Sequence, residues 1–200
     1  MQDRLVIFGC GGHAKAVLDV VLTNNDYEDI VFVDEQAKPS EKILNFPVVE
    51  NYNITNEKVF VAIGNNAKRE TLCKKYYNNL KSVISKNAYI GNKVKIGKGV
   101  FVAHGVHVGI FSILEDFCII NTNASVDHEC IIRKSAFIGP NTTLCGKVDI
   151  GEKSFLGAGV IVKDKISICG NCTIGAGGVV VKDIIQKATY VGVPVKSMGV

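Results

Sequence analysis

The chain has 200 residues, of which 23 are lysine or arginine and 19 are aspartate or glutamate, giving a net charge of +4. Its basic residues are mixed with acidic ones and are not interleaved with aromatic residues, so we expect no nucleic-acid surface. No apolar run approaches the roughly 18 to 20 residues of a membrane helix, so we expect no membrane span.

The seven cysteines are an odd number and show no paired spacing typical of a zinc site. Gln2, Asp3 and Arg4 lead directly into a short apolar run, which is not the pattern of a signal peptide. We therefore expect free cysteines, no metal and a cytoplasmic location.

The first predicted strand covers Leu5 to Phe8 and is followed by a glycine-rich turn from Gly9 to Ala14 and then by a helical pattern. This order aims backbone N–H groups and a helix N-terminus at a phosphate. The match to the dinucleotide-binding fingerprint is partial, because Ala14 stands where the last glycine is usual. A nucleotide is the expected ligand, with a purely structural turn as the alternative.

Further predicted strands cover Ile30–Val33, Phe46–Val49 and Val59–Ile63, and a helix is predicted from Lys68 to Tyr77, with a last strand at Ser82–Ile84. Together they predict a small α/β unit with a parallel sheet. A ligand of such a sheet binds at the carboxyl ends of the strands. The residues expected there are Gly9 to His13, Asp34 and Glu35, and Gly64 to Asn66. Asp34 is suited to accept hydrogen bonds from a ribose or base, and Glu35 is the weaker candidate.

From Ile90 onward, every sixth residue through Val180 is Ile, Val or Leu. Neither a helix nor a strand repeats at six, and a fixed hexad period is typical of a β-helix of short flat strands. The residue four positions after each step is nearly always small or β-branched, as expected beside it in the interior. Cys118, Cys130 and Cys172 occupy this small position. The stretch predicts a triangular solenoid of about five coils.

We divide the chain into a Rossmann-like α/β domain at residues 1–84, a β-helix at 85–182 and an ordered tail at 183–200. No flexible linker separates the first two, so we expect them to be firmly joined.

Chemistry is most plausible in the polar segment around His128, which lies outside the interior pattern and is flanked by Asp127 and Glu129. A carboxylate can orient an imidazole and make it more basic, as a general base requires. His104 has no acidic neighbour, and His107 occupies a position that elsewhere holds Phe or Ile. The sequence contains no Ser-His-Asp motif, P-loop motif or histidine pair with zinc spacing.

The hexads resemble the left-handed β-helix acyltransferases, the hexapeptide-repeat family. The glycine turn at 9–13, the Ala62–Asn66 segment, the Asn121-Thr122 and His128-Glu129 pairs and the Gly192–Lys196 tail resemble one subgroup of it. That subgroup contains the sialic acid O-acetyltransferases and the N-acetyltransferases of nucleotide-linked 4-amino sugars, such as the bacillosamine-pathway enzyme.

The resemblance implies roles for particular residues. His128 would be the general base, Glu129 would raise its basicity, and Asn121 would position substrate or histidine. The sugar nucleotide would contact Gly12, His13, Ala14, Asp34, Glu35 and Gly64. Acetyl-CoA, the implied co-substrate, would lie along the solenoid near Phe137, Gly146, Ala158 and Ala176. The family works as a homotrimer with active sites between neighbouring solenoids.

This chain departs from the bacillosamine-pathway enzyme in that Phe137 stands where that enzyme has a coenzyme-binding histidine, and Asp127 where a glutamate is familiar. The expected activity is acetyl transfer to the 4-amino group of a nucleotide-linked deoxyamino sugar in bacterial glycan biosynthesis, with UDP as the expected nucleotide. Sialic acid O-acetylation and N-acetylation of a GDP-linked sugar such as perosamine are the alternatives. A non-catalytic scaffold and an NAD-dependent oxidoreductase are weaker hypotheses.

Overall fold

A computed structural model describes residues 4–198 of the chain. Gln2 and Asp3, used above for the signal-peptide argument, lie outside these residues, as do the ends of the predicted first domain and tail. The architecture is an N-terminal α/β unit followed by a parallel β-helix. The predicted fold class is therefore confirmed.

The α/β unit is built on one five-stranded sheet. Its strands are β1 (Leu5–Phe8), β2 (Ile30–Val33), β3 (Lys42–Ile43), β4 (Phe46–Val49) and β5 (Lys58–Val61). They lie in the order β3-β4-β2-β1-β5, and all neighbours are parallel except β3 with β4. The inner strands β1 and β2 are fully buried, as is typical of parallel strands covered on both faces of the sheet. The predicted parallel sheet is confirmed.

Two helices accompany this sheet, α1 (Gly12–Asn24) and α2 (Asn66–Lys75). Helix α1 ends at Asn25, whose left-handed backbone lets its N–H bond the carbonyls of the last turn. Helix α2 begins at Asn65, whose side chain accepts a hydrogen bond from the Lys68 N–H at 3.0 Å. Among residues 4–198, no helix is long and apolar enough to cross a membrane.

The β-helix contains seventeen two-residue strands within the described chain. They are β6 (Val83–Ile84), β7 (Tyr89–Ile90), β8 (Lys95–Ile96), β9 (Phe101–Val102), β10 (His107–Val108), β11 (Ile113–Leu114), β12 (Ile119–Ile120), β13 (Ser125–Val126), β14 (Ile131–Ile132), β15 (Phe137–Ile138), β16 (Thr143–Leu144), β17 (Asp149–Ile150), β18 (Phe155–Leu156), β19 (Ile161–Val162), β20 (Ser167–Ile168), β21 (Thr173–Ile174) and β22 (Val179–Val180).

These strands form three flat faces. Face A runs from β7 through β10, β13, β16 and β19 to β22, face B from β8 through β11, β14 and β17 to β20, and face C from β6 through β9, β12, β15 and β18 to β21. From β6 to β19, each strand pairs in parallel with the strand 18 residues later, and β7 to β21 make five complete coils. Corner A–B follows each face A strand, and corners B–C and C–A follow the other two.

The interior is formed by the predicted hexad positions. Each sixth residue from Val102 to Val180 is at most 2 % exposed. The small position four residues later is also buried, including Cys118, Cys130 and Cys172. Burying a column of aliphatic side chains against itself is the main favourable term for such a solenoid.

Every corner turns through one residue in the left-handed region, three positions after the interior aliphatic residue. From Lys93 to Gly177 these fifteen residues have φ between 54° and 70°, although only four of them are glycine. The residue directly after the aliphatic one is often glycine because the backbone of the next coil leaves no room for a side chain. A Cβ on Gly109 would lie 2.7 Å from the His128 backbone nitrogen of the next coil.

The α/β unit and the solenoid are joined at a buried arginine. The Arg69 guanidinium is fully buried and donates to the carbonyls of Phe117 and Ser135 on corner B–C, both at 2.8 Å. It also donates to the carbonyls of Ile63 and Gly64 in the α/β unit. The strand predicted at Ser82–Ile84 belongs to the solenoid and not to the α/β unit, because β6 pairs with β9.

The C-terminal segment continues on the solenoid. Ile184 bridges to Ile168, β23 (Thr189–Val191) pairs in parallel with β21, and β24 (Lys196–Ser197) pairs antiparallel with β23. The segment therefore covers the last coil on face C.

Candidate active site

A cleft of about 1230 Å³ opens at the carboxyl ends of β1, β2 and β5. Five of the predicted substrate-binding residues line it: Gly12, His13, Asp34, Glu35 and Gly64. The sixth, Ala14, is fully buried on the inner side of α1 and does not line the cleft. The position of the cleft is the one expected for a parallel sheet.

The glycine turn shapes one wall of this cleft. Gly9 has φ of 102°, and a Cβ there would lie 2.9 Å from the Ala62 carbonyl oxygen, so a side chain is not tolerated. A Cβ on Gly11 or Gly12 would meet nothing within 4 Å. No side chain caps the first turn of α1, and this turn contains no acidic residue. Its N–H groups are therefore available to an anionic ligand.

Asp34 is fixed at the end of β2 by hydrogen bonds to both carboxylate oxygens. It accepts from the Cys10 N–H at 3.1 Å and from the Gln36 N–H at 3.0 Å. Burial by itself raises the pKa of Asp34, but these hydrogen bonds outweigh it and the pKa is lowered. Asp34 therefore presents an oriented, ionised carboxylate to the cleft. Burial and the neighbouring Asp34 raise the pKa of the Cys10 thiol to about 11, so Cys10 stays protonated.

His13 is inserted between the cleft and the solenoid. Its ring packs edge-on against Phe101, with ring centroids 5.1 Å apart. Its Nε2 atom is buried and has no hydrogen-bond partner among the described residues. Burial, followed by the nearby Arg69 charge, lowers the pKa of His13 to about 4. A neutral imidazole can hydrogen-bond a bound ligand but does not neutralise a diphosphate.

The opposite wall of the cleft contains residues that the sequence analysis did not single out. Lys68, Thr71, Leu72 and Lys75 of α2 all line it. Their spacing of three and four residues places them on one side of the helix, but the helix is polar on all sides, so this spacing did not distinguish a binding surface. The two lysines add positive charge on the side facing the α1 N-terminus.

The second candidate centre is on corner A–B of the solenoid, where Nδ1 of His128 lies 3.0 Å from Oε2 of Glu129. The backbone N–H of His128 donates to Asp127 Oδ1 at 2.7 Å. The other oxygen of Glu129 lies 3.6 Å from Nζ of Lys147 on the next coil. With its Nδ1–H directed at Glu129, the half-exposed imidazole has Nε2 free to accept a proton.

Gly146 lies directly beneath the His128 ring, 18 residues later on the same corner. A Cβ at Gly146 would lie 2.5 Å from His128 Nε2 and 2.7 Å from Cε1. Gly146 was predicted to contact the coenzyme, and the structure places it against the candidate base. Any side chain here would displace the imidazole.

The remaining predicted residues lie on corner C–A and on face C. Asn121 is on corner C–A, where its Oδ1 accepts from the Thr122 N–H at 2.8 Å. Strand β13 separates it from His128, so one chain does not bring the two together. Phe137 stacks on Phe155 on face C, with centroids 4.7 Å apart. Ala158 and Ala176 are exposed on successive turns of corner C–A.

The alternative histidines have structural contacts. His107 stacks on Tyr89, with centroids 4.9 Å apart. No Ser-His-Asp motif is expected from the sequence, yet the fold brings Ser85 Oγ to 2.6 Å from His104 Nδ1, and Asp19 to 3.4 Å from Nε2. Ser85 is only 2 % exposed, so this chain of contacts ties α1 to the solenoid and does not present a nucleophile.

No group of three or more His, Cys, Asp or Glu side chains between residues 4 and 198 has the arrangement of a metal site.

Residues 4–76 match the family model described as the PglD N-terminal domain. Over nearly its whole length, the chain superposes on the acetyltransferase domain of PglB from Neisseria gonorrhoeae, with a TM-score of 0.92 and 32 % identity, covering 98 % of this chain and 99 % of that one. The chain belongs to the hexapeptide-repeat acyltransferase family, in its sugar acetyltransferase subgroup.

Another solved member of this subgroup is a variant of perosamine N-acetyltransferase from Caulobacter crescentus, in complex with CoA and GDP-perosamine. It is 35 % identical, with a TM-score of 0.88, over 98 % of this chain and 96 % of that one. A more distant hexapeptide-repeat relative, the serine acetyltransferase of Synechococcus elongatus, is 31 % identical over 102 residues, which is 50 % of this chain and 38 % of the relative. The chain spans less than half the length of the curated relatives it matches.

Proposed function

We propose that this protein transfers an acetyl group from acetyl-CoA to the 4-amino group of a nucleotide-linked deoxyamino sugar, in cytoplasmic steps of bacterial glycan biosynthesis. The observation that carries the proposal is the near full-length similarity to an N-acetyltransferase solved with CoA and GDP-perosamine. The His128–Glu129 pair and the cleft at the strand ends supply the two kinds of site that this reaction needs.

The chemistry follows from the free Nε2 of His128. A sugar ammonium cannot attack a thioester until it loses a proton, and Nε2 is placed to take that proton. Glu129 accepts the Nδ1–H and stabilises the imidazolium that forms. The amine nitrogen then bonds to the acetyl carbon and releases its second proton to solvent. As the C–S bond breaks, the imidazolium returns the first proton to the CoA sulfur. No covalent enzyme intermediate is required.

The tetrahedral intermediate needs a donor for its oxyanion. The Gly146 N–H has no acceptor within the described chain, and its Cα hydrogens face the imidazole. A backbone donor next to the base suits a developing alkoxide. We propose that acetyl-CoA lies along the solenoid between this corner and Phe137, Ala158 and Ala176.

A second copy of the chain is needed to complete the site. None of the residues lining the cleft belongs to the His128 corner, and Asn121 is on the opposite edge of face A. In the proposed assembly, corner A–B of one subunit would face the cleft and corner C–A of its neighbours. We therefore propose a homotrimer with active sites between subunits.

The proposed nucleotide is uridine diphosphate, with guanosine diphosphate as the second candidate. The ionised Asp34 and the polar Asn51 and Asn53 of the cleft suit hydrogen-bond donors of a ribose or base, which both nucleosides have. The similarity to the perosamine enzyme specifically favours a GDP-linked sugar as the second candidate. Sialic acid O-acetylation would leave the nucleotide cleft unused.

The test is CoA release from acetyl-CoA with UDP-linked 4-amino sugars, GDP-perosamine and free sialic acid as separate acceptors. His128→Ala should lower turnover with the true acceptor about 10²- to 10⁴-fold, the usual contribution of a general base. His107→Ala is the matched histidine control and should retain most activity. Release with sialic acid alone, or full activity of His128→Ala, would refute the proposal.

A further inference from the structure

Cys169 and Cys172 form a close pair of thiols on corner B–C, outside both candidate centres. Their Sγ atoms are 3.3 Å apart. From its hexad position, Cys172 is expected only to be a small interior residue. The structure shows it at the inner end of a four-residue turn whose outer end is Cys169.

The backbone of this turn is held in place at both cysteines. Ser154 Oγ, on the coil above, donates to the Cys169 carbonyl at 2.9 Å and accepts from the Cys172 N–H at 3.1 Å. The Cys169 N–H donates to the Ile184 carbonyl at 2.8 Å. Asn171 takes the left-handed conformation of every corner. The two sulfurs are therefore kept together by the fold.

The two thiols differ in access. Cys169 is half-buried and lines a surface cavity of about 600 Å³, together with Gly170, Asn171 and Ile184. Cys172 is 1 % exposed. Burial, followed by the hydrogen bond with Cys169, raises the pKa of Cys172 to about 11. A reagent from solvent can reach only the first sulfur, while the second is in position to react with the product.

We propose that Cys169 and Cys172 are an oxidation site that closes to an intramolecular disulfide when the protein meets hydrogen peroxide. The two sulfurs need only approach from 3.3 Å to the roughly 2.05 Å of a disulfide bond. The inference is independent of the proposed acetyl transfer.

The reaction balances in two steps. The Cys169 thiolate attacks one peroxide oxygen, the O–O bond breaks, and hydroxide leaves as water after taking up a proton, giving a sulfenic acid. The Cys172 sulfur then loses its proton and attacks Cys169 sulfur. The S–O bond breaks, a second water leaves, and two electrons have passed from the sulfurs to the peroxide.

The charges around the cavity select a neutral oxidant. Arg133 is paired with Asp149 through two hydrogen bonds of 2.8 and 2.6 Å. Glu152 and Asp183 then leave the lining with a net negative charge. An anionic oxidant such as glutathione disulfide should therefore react with Cys169 more slowly than the neutral bis(hydroxyethyl) disulfide. Added salt screens the charges and should reduce this difference in rate.

The test uses the full chain, reduced and desalted, then treated with one equivalent of hydrogen peroxide, denatured in guanidinium and blocked with N-ethylmaleimide, so that every remaining thiol is accessible. Mass spectrometry should show the loss of two hydrogens, two fewer blocked thiols and a linked peptide containing residues 169–172. Cys172→Ser should abolish the linkage and leave a sulfenic acid on Cys169 that dimedone traps. Cys73→Ser, which removes a buried cysteine elsewhere, should retain the linkage.

Two results would overturn the inference. One is oxidation of Cys10 or Cys145 while Cys169 and Cys172 remain fully blocked by maleimide. The other is a linkage that forms no faster in the folded protein than in guanidinium, because the fold would then contribute nothing to the pairing.

Discussion

Replacing Gly146 with alanine tests whether this glycine acts through the His128 imidazole. The new methyl carbon would lie 2.5 Å from Nε2, whereas ordinary contact begins near 3.4 Å. The ring must therefore move by about 1 Å, a displacement that can cost on the order of 10²-fold in rate. That factor corresponds to about 2.7 kcal/mol of transition-state stabilisation.

The substitution should leave the fold intact. Gly146 is not among the described residues with positive φ, so its backbone accepts alanine. The atoms that clash belong to an exposed, movable side chain and not to backbone. The cost should accordingly appear in kcat, with an unchanged melting temperature.

The assay is CoA release with the acceptor that the substrate panel identifies, measured as kcat and as KM for acetyl-CoA. Gly146→Ala should lower kcat about 100-fold. In a His128→Ala background the same substitution should have little further effect, because the two residues act through one group. A raised KM for acetyl-CoA with unchanged kcat would refute this reasoning and return Gly146 to the coenzyme contact predicted from sequence.

Three further outcomes are expected. Glu129→Gln should lower kcat while leaving acetyl-CoA binding unchanged by calorimetry, since its carboxylate orients and stabilises the imidazole, and equal kcat would contradict that role. Arg69→Met should destabilise the protein by at least about 3 kcal/mol, because carbonyls of both parts of the chain lose a charged donor. The control is Lys74→Met, which changes an exposed residue of the same helix. Equal urea unfolding midpoints for the two variants would refute the argument. The low pKa of His13 means that the unfolded chain binds more protons than the folded one between about pH 6.5 and 4, so the free energy of unfolding should fall by roughly 2–3 kcal/mol as pH is lowered through that window. His13→Gln should make the free energy of unfolding less dependent on pH in this range. An equal pH dependence in the variant and the wild type would count against a buried neutral imidazole.

The solenoid could be predicted in detail because its interior repeats without exception at six residues. The corner conformation could not be predicted in the same way. Left-handed backbone is usually recognised from glycine or asparagine, but here the position also holds Phe111, Phe117 and Glu129. The stacked coils impose this conformation, and local sequence preference does not reveal it.

Only one wall of the cleft could be predicted from the sequence. Strand ends and glycines identified one wall, because parallel topology brings them to one edge. Lys68 and Lys75 are on a helix that is polar on all sides, so nothing in its pattern marked one side as a binding surface. Arg69 is on the same helix and is fully buried, since its partners are carbonyls of corners that are distant in sequence.

The geometry of the candidate base depends on the same corners. Adjacent residues on a strand point to opposite faces, and adjacent residues on a helix point about 100° apart, so neither element would direct His128 and Glu129 side chains at each other. The left-handed backbone of Glu129, with φ of 58°, turns its carboxylate to within 3.0 Å of Nδ1. The 18-residue coil repeat then sets Gly146 beneath the ring and Lys147 beneath the carboxylate. Thus the repeat that builds the core also aligns the candidate base, the carboxylate beside it and the space that the imidazole requires.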